Sequence, residues 1–219
     1  MNKIFFLSFC FFVSVVNAQS NLPVNELPGN NRKPFVLYLS GDGGFNNFST
    51  SLNNFINTKG YEITALNCRS YFWNKKNPQQ AANDLSAYLR KKLSGRPNQQ
   101  IVMIGYSFGA DVLAFIVNRF PDDLKDKLLS NIFLAPSSST DFEIHLNDML
   151  GLGSRTGSDV LKEINEMGLH KVTIIQSSND GDFKIQNVRL KNFKSLKLAG
   201  NHHFDKNINE LGTIIIENF

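Results

Sequence analysis

A serine held between two glycines, in Gly105-Tyr106-Ser107-Phe108-Gly109, is the pattern in this chain best suited to do chemistry. It follows the apolar run Ile101-Val102-Met103-Ile104 and leads into Ala110-Asp111-Val112-Leu113-Ala114-Phe115-Ile116-Val117. That order reads as strand, sharp turn and helix. The apex of such a turn takes a strained backbone conformation, and side chains in place of the glycines would collide with the closely approaching strand and helix. The serine hydroxyl then projects at a helix N-terminus, where backbone N–H groups stabilise developing negative charge. This is the placement of a nucleophile for acyl transfer. A plain strand–helix turn with a capping serine is the structural alternative.

A serine needs a base, because its own pKa leaves almost no alkoxide at neutral pH. On a parallel α/β sheet the partners are expected in the order serine, acid, histidine, on loops after later strands. The segment Gln176-Ser177-Ser178-Asn179-Asp180-Gly181-Asp182 follows a strand that the pattern ends at Ile175, and Gly200-Asn201-His202-His203-Phe204 follows another ending at Leu198. Asp182 is favoured as the acid, because Lys184-Ile185 follows it as the start of the next element; Asp180 is the other candidate. Adjacent histidines diverge, so only one faces Ser107, and the spacing Gly-x-His-x-Phe favours His202 as base. His203 then packs or hydrogen-bonds. A His-His zinc pair would want a third ligand, and His145 and His170 stand alone in the sequence, so neither a metal nor any other cofactor is expected.

The turn Ser40-Gly41-Asp42-Gly43-Gly44 is where a first oxyanion donor belongs, the N–H of Asp42 or Gly43, with the N–H of Phe108 as the second. No Gly-Lys-Ser/Thr follows the turn and no full G-x-G-x-x-G is present, which disfavours a phosphate cradle. Asp111 falls one turn into the helix after Ser107. It either complements the helix N-terminus or lines a substrate pocket that attracts a cation.

The elements that position these residues alternate along the chain. Phe35-Val36-Leu37-Tyr38-Leu39 reads as a buried strand, residues 48–58 as a helix stopped near Gly60, and Tyr61 to Leu66 as the next strand. Residues 78–93 form a helix with proline at its start. Beyond the serine turn come a strand at 131–135, a polar connection at 137–157, a short helix at 158–167, strands at 171–175 and 195–198, and a closing helix from Asn207. This is one α/β domain over 34–219, with a mostly parallel sheet flanked by helices. Gln19 to Lys33 reads as an extended lead-in.

Residues 1–18 read as a secretory signal peptide: Lys3 precedes an apolar stretch from Ile4 to Val16, and Val16-Asn17-Ala18 offers a cleavage site. The stretch is shorter than the roughly 20 residues that span a bilayer. Export would remove Cys10 and leave Cys68, which cannot form an intramolecular disulfide, so about 200 residues must be stabilised by their core. The formal charge of +4 suits loose attraction to an anionic lipid surface. No cluster of Lys and Arg interleaved with aromatics points to nucleic acid.

Taken together, the chain resembles the VirJ/AcvB family of periplasmic bacterial virulence proteins, which are α/β-hydrolases. The matching pieces are Leu39-Ser40-Gly41-Asp42-Gly43-Gly44, Tyr71-Phe72-Trp73 with Pro78 following, Gly105-Tyr106-Ser107-Phe108-Gly109-Ala110-Asp111-Val112, Phe142-Glu143-Ile144-His145 and His202-His203-Phe204-Asp205. The resemblance implies a hydrolase of aminoacylated phosphatidylglycerol, chiefly lysyl-phosphatidylglycerol, that cleaves the ester joining the amino acid to the headgroup. It also implies Ser107 as nucleophile and His202 as base, with one acid-loop aspartate behind it.

Overall fold

The computed structural model describes residues 22–145 and 157–219. The proposed signal segment and most of the polar connection after residue 145 lie outside the described residues. In chain order the elements are β1 (Val24–Leu27), β2 (Phe35–Leu39), α1 (Asn47–Thr58), β3 (Ile63–Leu66), α2 (Cys68–Tyr71), α3 (Pro78–Lys92), β4 (Ile101–Tyr106), α4 (Phe108–Asn118), α5 (Asp122–Lys125), β5 (Leu128–Leu134), β6 (Ser139–Thr140), β7 (Ser158–Asp159), α6 (Val160–Asn165), β8 (Val172–Ser177), β9 (Phe193–Leu198) and α7 (Ile208–Ile216). Seven strands form one sheet in the order β1-β3-β2-β4-β5-β8-β9. All pairings in it are parallel except that of β1 with β3.

The strand β2 shows why the layers form. Its five residues are all buried, so both faces must be covered. Phe35, Leu37 and Leu39 point to one face, where they meet Ala81, Leu85 and Leu89 of α3, Val112 and Ile116 of α4, and Val160 and Ile164 of α6. Val36 and Tyr38 point to the other, against Phe48, Leu52 and Ile56 of α1 and Leu211 and Ile215 of α7. The period of two along a strand makes that division. Helix starts follow their sequence signals. Asn46, Asn77, Asp159 and Asn207 each accept a backbone N–H of the first turn, and Pro78 opens α3.

The lead-in is part of the sheet. Val24–Leu27 pairs with Ile63–Leu66 as the antiparallel edge strand, so the folded unit begins before residue 34. Its pattern, half-buried and only four residues long, carries too little periodicity to be read as a strand. The short ladder of β6 and β7 and the single turns α2 and α5 escape sequence reading for the same reason.

The two glycines around Ser107 act through space. A Cβ on Gly105 would stand 2.5 Å from the Gly109 carbonyl oxygen and 2.7 Å from the Ala110 Cα. One on Gly109 would overlap the Leu39 carbonyl oxygen and lie 2.6 Å from that of Ser40. These contacts are backbone, which cannot rotate away, so Gly109→Ala is expected to cost about 3 kcal/mol or more. Gly181→Ala, with nothing within 4 Å of its Cβ, is the control. Urea midpoints of the two variants check the difference.

Candidate active site

The site is assembled at the carboxyl ends of the parallel strands. β4 ends at Tyr106, and α4 begins at Phe108. Ser107 between them is held at φ 50°, ψ −119°, a left-handed backbone conformation that L residues rarely adopt. Its N–H donates to the Leu134 carbonyl (2.9 Å), and its own carbonyl accepts from Ala110 (2.8 Å) and Asp111 (3.0 Å). Strand and helix together therefore fix the strained turn. The Ser107 side chain makes no capping bond to its helix. It is instead free to meet the histidine loop.

Ser107 Oγ lies 2.9 Å from Nε2 of His202, and His202 Nδ1 lies 2.8 Å from Oδ1 of Asp180. Burial pushes the Asp180 carboxyl up, but the His202 ring and the Ser177 N–H at 3.0 Å favour the carboxylate and hold its pKa below the ordinary value. With that carboxylate ionised, Nδ1 carries the ring proton and donates to it. Nε2 is then the acceptor for the Ser107 hydroxyl. The acid and histidine loops are pinned side by side: Ser178 Oγ donates to the Gly200 carbonyl and accepts from the Gly200 N–H, both at 3.1 Å. Asn201 N–H donates to Asp205 Oδ1 (3.0 Å), closing a turn in which Phe204, Asp205 and Lys206 all have positive φ.

The acid beside His202 is thus Asp180 and not Asp182, which corrects the favoured reading of the sequence. β8 runs to Ser177, two residues beyond Ile175, and the chain then folds back. Asp180 N–H donates to the Ser177 carbonyl (3.3 Å), and Asp180 Oδ2 accepts from the Ser177 N–H. That turn aims Asp180 along the strand end towards His202. Asp182 is exposed and turned to the segment after β5, where its Oδ2 accepts from the Ser138 N–H at 3.3 Å.

Asp111 does not line an open pocket. It is 2% exposed, and its Oδ1 accepts the Ser137 N–H at 2.6 Å, which ties the end of β5 to the first turn of α4. Asp42, on the turn after β2, is partly exposed, and its negative charge acts on the Tyr106 phenol and the His203 ring. The turn that carries it packs on the serine: a Cβ on Gly41 would stand 3.4 Å from the Ser107 Cβ. Gly44 N–H donates to the Gly41 carbonyl at 3.0 Å and closes the turn. Ser40 Oγ accepts the Cys68 N–H at 3.0 Å and so ties this turn to α2. Phe108 is the first residue of α4, so its N–H has no acceptor within the helix. The structure therefore packs the Gly41 turn on the Ser107 side chain and places the Phe108 N–H directly after the serine.

His203 faces away from the serine. Its Nδ1 lies 2.9 Å from the Tyr106 hydroxyl, and burial together with the neighbouring His202 lowers its pKa. Burial likewise pushes the Tyr106 phenol up, so it remains a donor. The two rings thus serve different partners and do not converge on one ion. Among the described residues, Asp141, Glu143 and His145 place ligand atoms within 4.8 Å of one another, with His145 Nε2 2.5 Å from Asp141 Oδ2. His145 is therefore not isolated in space. No signal in the sequence marks Tyr106, Ser178 or Asp205 as supports of the histidine loop, because each acts across 22 to 97 residues or through a positive-φ turn.

A strained serine between β4 and α4, with an acid and a histidine after β8 and β9 of one parallel sheet, defines the α/β-hydrolase fold. Solved structures share it. The "lipase-esterase related protein" of Clostridium acetobutylicum ATCC 824 aligns with TM-score 0.64 at 11% identity, over 90% of this chain and 100% of that one. Est1E of Butyrivibrio proteoclasticus, solved with ferulic acid bound, aligns with TM-score 0.63 at 12% identity, over 90% and 93%. A thioesterase domain from the curacin biosynthetic pathway aligns with TM-score 0.59 at 12% identity, over 89% and 94%. At such identities the likeness is one of fold. No curated protein matches the chain. The chain belongs to the VirJ family of bacterial virulence proteins, which it matches over residues 33–219.

Proposed function

We propose that this protein is a periplasmic serine esterase that hydrolyses the aminoacyl ester of aminoacylated phosphatidylglycerol. The observation that carries the reaction class is the continuous hydrogen-bonded chain from Ser107 through His202 to Asp180 on a strained turn. Membership of the VirJ family, and the resemblance that rests on the quoted motifs, supports the substrate. The apolar segment before residue 19 supports export.

In this reading Ser107 Oγ attacks the aminoacyl carbonyl as His202 Nε2 takes its proton. The carbonyl oxygen becomes an oxyanion held by the N–H groups of Phe108 and of Asp42 or Gly43. His202 then returns the proton to the glycerol oxygen, which leaves as phosphatidylglycerol. A water, deprotonated by His202, attacks the aminoacyl-serine and releases the amino acid. Asp180 keeps the imidazole in the tautomer that can accept at Nε2 and stabilises the imidazolium between steps. The positive amine of an aminoacyl ester suits the Asp42 carboxylate, which takes the place that sequence reading gave to Asp111.

One observation favours a second reading, an esterase of neutral acyl groups. Asp111 is withdrawn from solvent, which leaves fewer acidic groups at the site than an aminoacyl substrate would want. Rates on lysyl-phosphatidylglycerol in mixed micelles and on a short neutral ester separate the two. The first reading expects kcat/KM on the aminoacyl lipid to exceed that on the neutral ester by at least about 100-fold, the worth of roughly 3 kcal/mol of substrate recognition. A preference in the opposite sense would establish the second.

A further inference from the structure

Three large apolar side chains are exposed among the described residues: Phe45 at 37%, Trp73 at 48% and Leu169 at 81%. Leu169 precedes β8 and so lies at the amino ends of the parallel strands, away from Ser107. The other two belong to the loops that leave the carboxyl ends of β2 and β3, the edge where Ser107 sits. Those loops touch. The Asn67 side chain and the Arg69 Cβ crowd the Gly44 position, leaving no room for a side chain there. The Phe72 ring, next to Trp73, stands 5.2 Å from the Phe108 ring, next to Ser107. One continuous rim thus carries Phe45 and Trp73 around the mouth of the site.

The loop after β3 brings cations to this rim, and the loop after β2 brings one partly exposed carboxylate, Asp42. Arg69 and Lys75 are exposed and have no carboxylate partner among the described residues, and the Lys76 ammonium lies 5.3 Å over the Tyr71 ring. By contrast Arg90, Lys92 and Arg96, at the C-terminal end of α3 or just beyond it, are held by Asp123, Glu26 and Glu62. Asp141, on the segment that seats against Phe72 and Lys76, is itself engaged with His145. Tryptophan beside free cations is the composition that settles at the headgroup level of an anionic bilayer, the ring in the interface and the charges on the phosphates.

We propose that Phe45 and Trp73, with Arg69, Lys75 and Lys76, dock the protein on an anionic phospholipid bilayer with the mouth above Ser107 turned to the headgroups. The proposal deepens the reading of the substrate as a phospholipid ester and rests on it. A substrate held in a membrane would then be presented to Ser107 without leaving the bilayer surface.

Trp73 is the only tryptophan of the chain, so its fluorescence reports this contact alone. Adding vesicles of phosphatidylglycerol is expected to shift its emission to the blue and make it quenchable by brominated lipid. Vesicles of phosphatidylcholine should do so far less, and raised salt should reverse the effect. In co-sedimentation, Trp73→Ala is expected to weaken vesicle binding on the order of ten-fold and Lys75→Gln by about five-fold. Both should keep the wild-type rate on a soluble acetyl ester. An unshifted emission with phosphatidylglycerol vesicles, or variants that sediment like the wild type, overturns the docking. Failure of the substrate reading looks different: the protein would dock, yet leave lysyl-phosphatidylglycerol uncleaved in both vesicles and micelles.

Discussion

Ser107→Ala is expected to lower ester hydrolysis by about 10⁴- to 10⁶-fold while the domain stays folded. The size of the effect follows from covalent catalysis. Without Oγ there is no acyl-enzyme, and only the oxyanion donors and substrate binding remain to favour the transition state. The fold should tolerate the change because alanine keeps the Cβ that already sits at φ 50°, and the serine side chain caps nothing. What is lost is one hydrogen bond to His202, worth about 1 kcal/mol. Initial rates on an ester substrate, read beside the thermal melting of the same samples, check both halves. A variant that melts like the wild type and still turns over at a comparable rate would remove Ser107 from the mechanism.

The second large effect separates two aspartates that stand two residues apart. Asp180→Asn should lower kcat by about 10⁴-fold, whereas Asp182→Asn should change it by no more than about three-fold. At residue 180 the amide would present either an N–H to His202 Nδ1, forcing the ring proton onto Nε2, or a weaker acceptor without charge. In the first case Nε2 can no longer take the serine proton. In the second the imidazolium loses its counter-charge. At residue 182 the carboxylate meets, among the described residues, only the Ser138 N–H and hydroxyl, at 3.3 and 3.5 Å on an exposed loop, and an asparagine oxygen can accept there equally well. Steady-state kinetics of the two variants under identical conditions give the answer. Reversed magnitudes would mean that the acid loop is rearranged when substrate binds.

Much of the fold was legible because its signals are local. The run from Phe35 to Leu39, the proline opening α3 and the apolar spacing of α1 each report their own element without help from elsewhere. The strand Val24–Leu27 was not legible. Its pairing with β3 is decided by the edge that β3 offers, and its own four residues are half exposed. β8 runs two residues past its apolar pattern, since Gln176 and Ser177 are polar yet extend the ladder beside Lys197 and Leu198. Lys184-Ile185, the local cue that favours Asp182, says nothing of how the chain folds back from the longer strand, and that fold is what brings Asp180 to His202.

Sequence alone determined the chemistry on offer: a serine between glycines at a strand–helix junction, and an acid and a histidine in the right order after later strands. Those properties are written in neighbouring residues, so periodicity and turn chemistry reveal them. Tertiary structure decided which carboxylate meets which partner. Asp180 reaches His202 only because the chain turns back on Ser177, Asp111 is taken up by the Ser137 N–H, and the turn at Gly41 is packed on the Ser107 side chain. A hydrogen bond constrains position to a few tenths of an ångström, and no pattern of residue types along a loop fixes a position that closely.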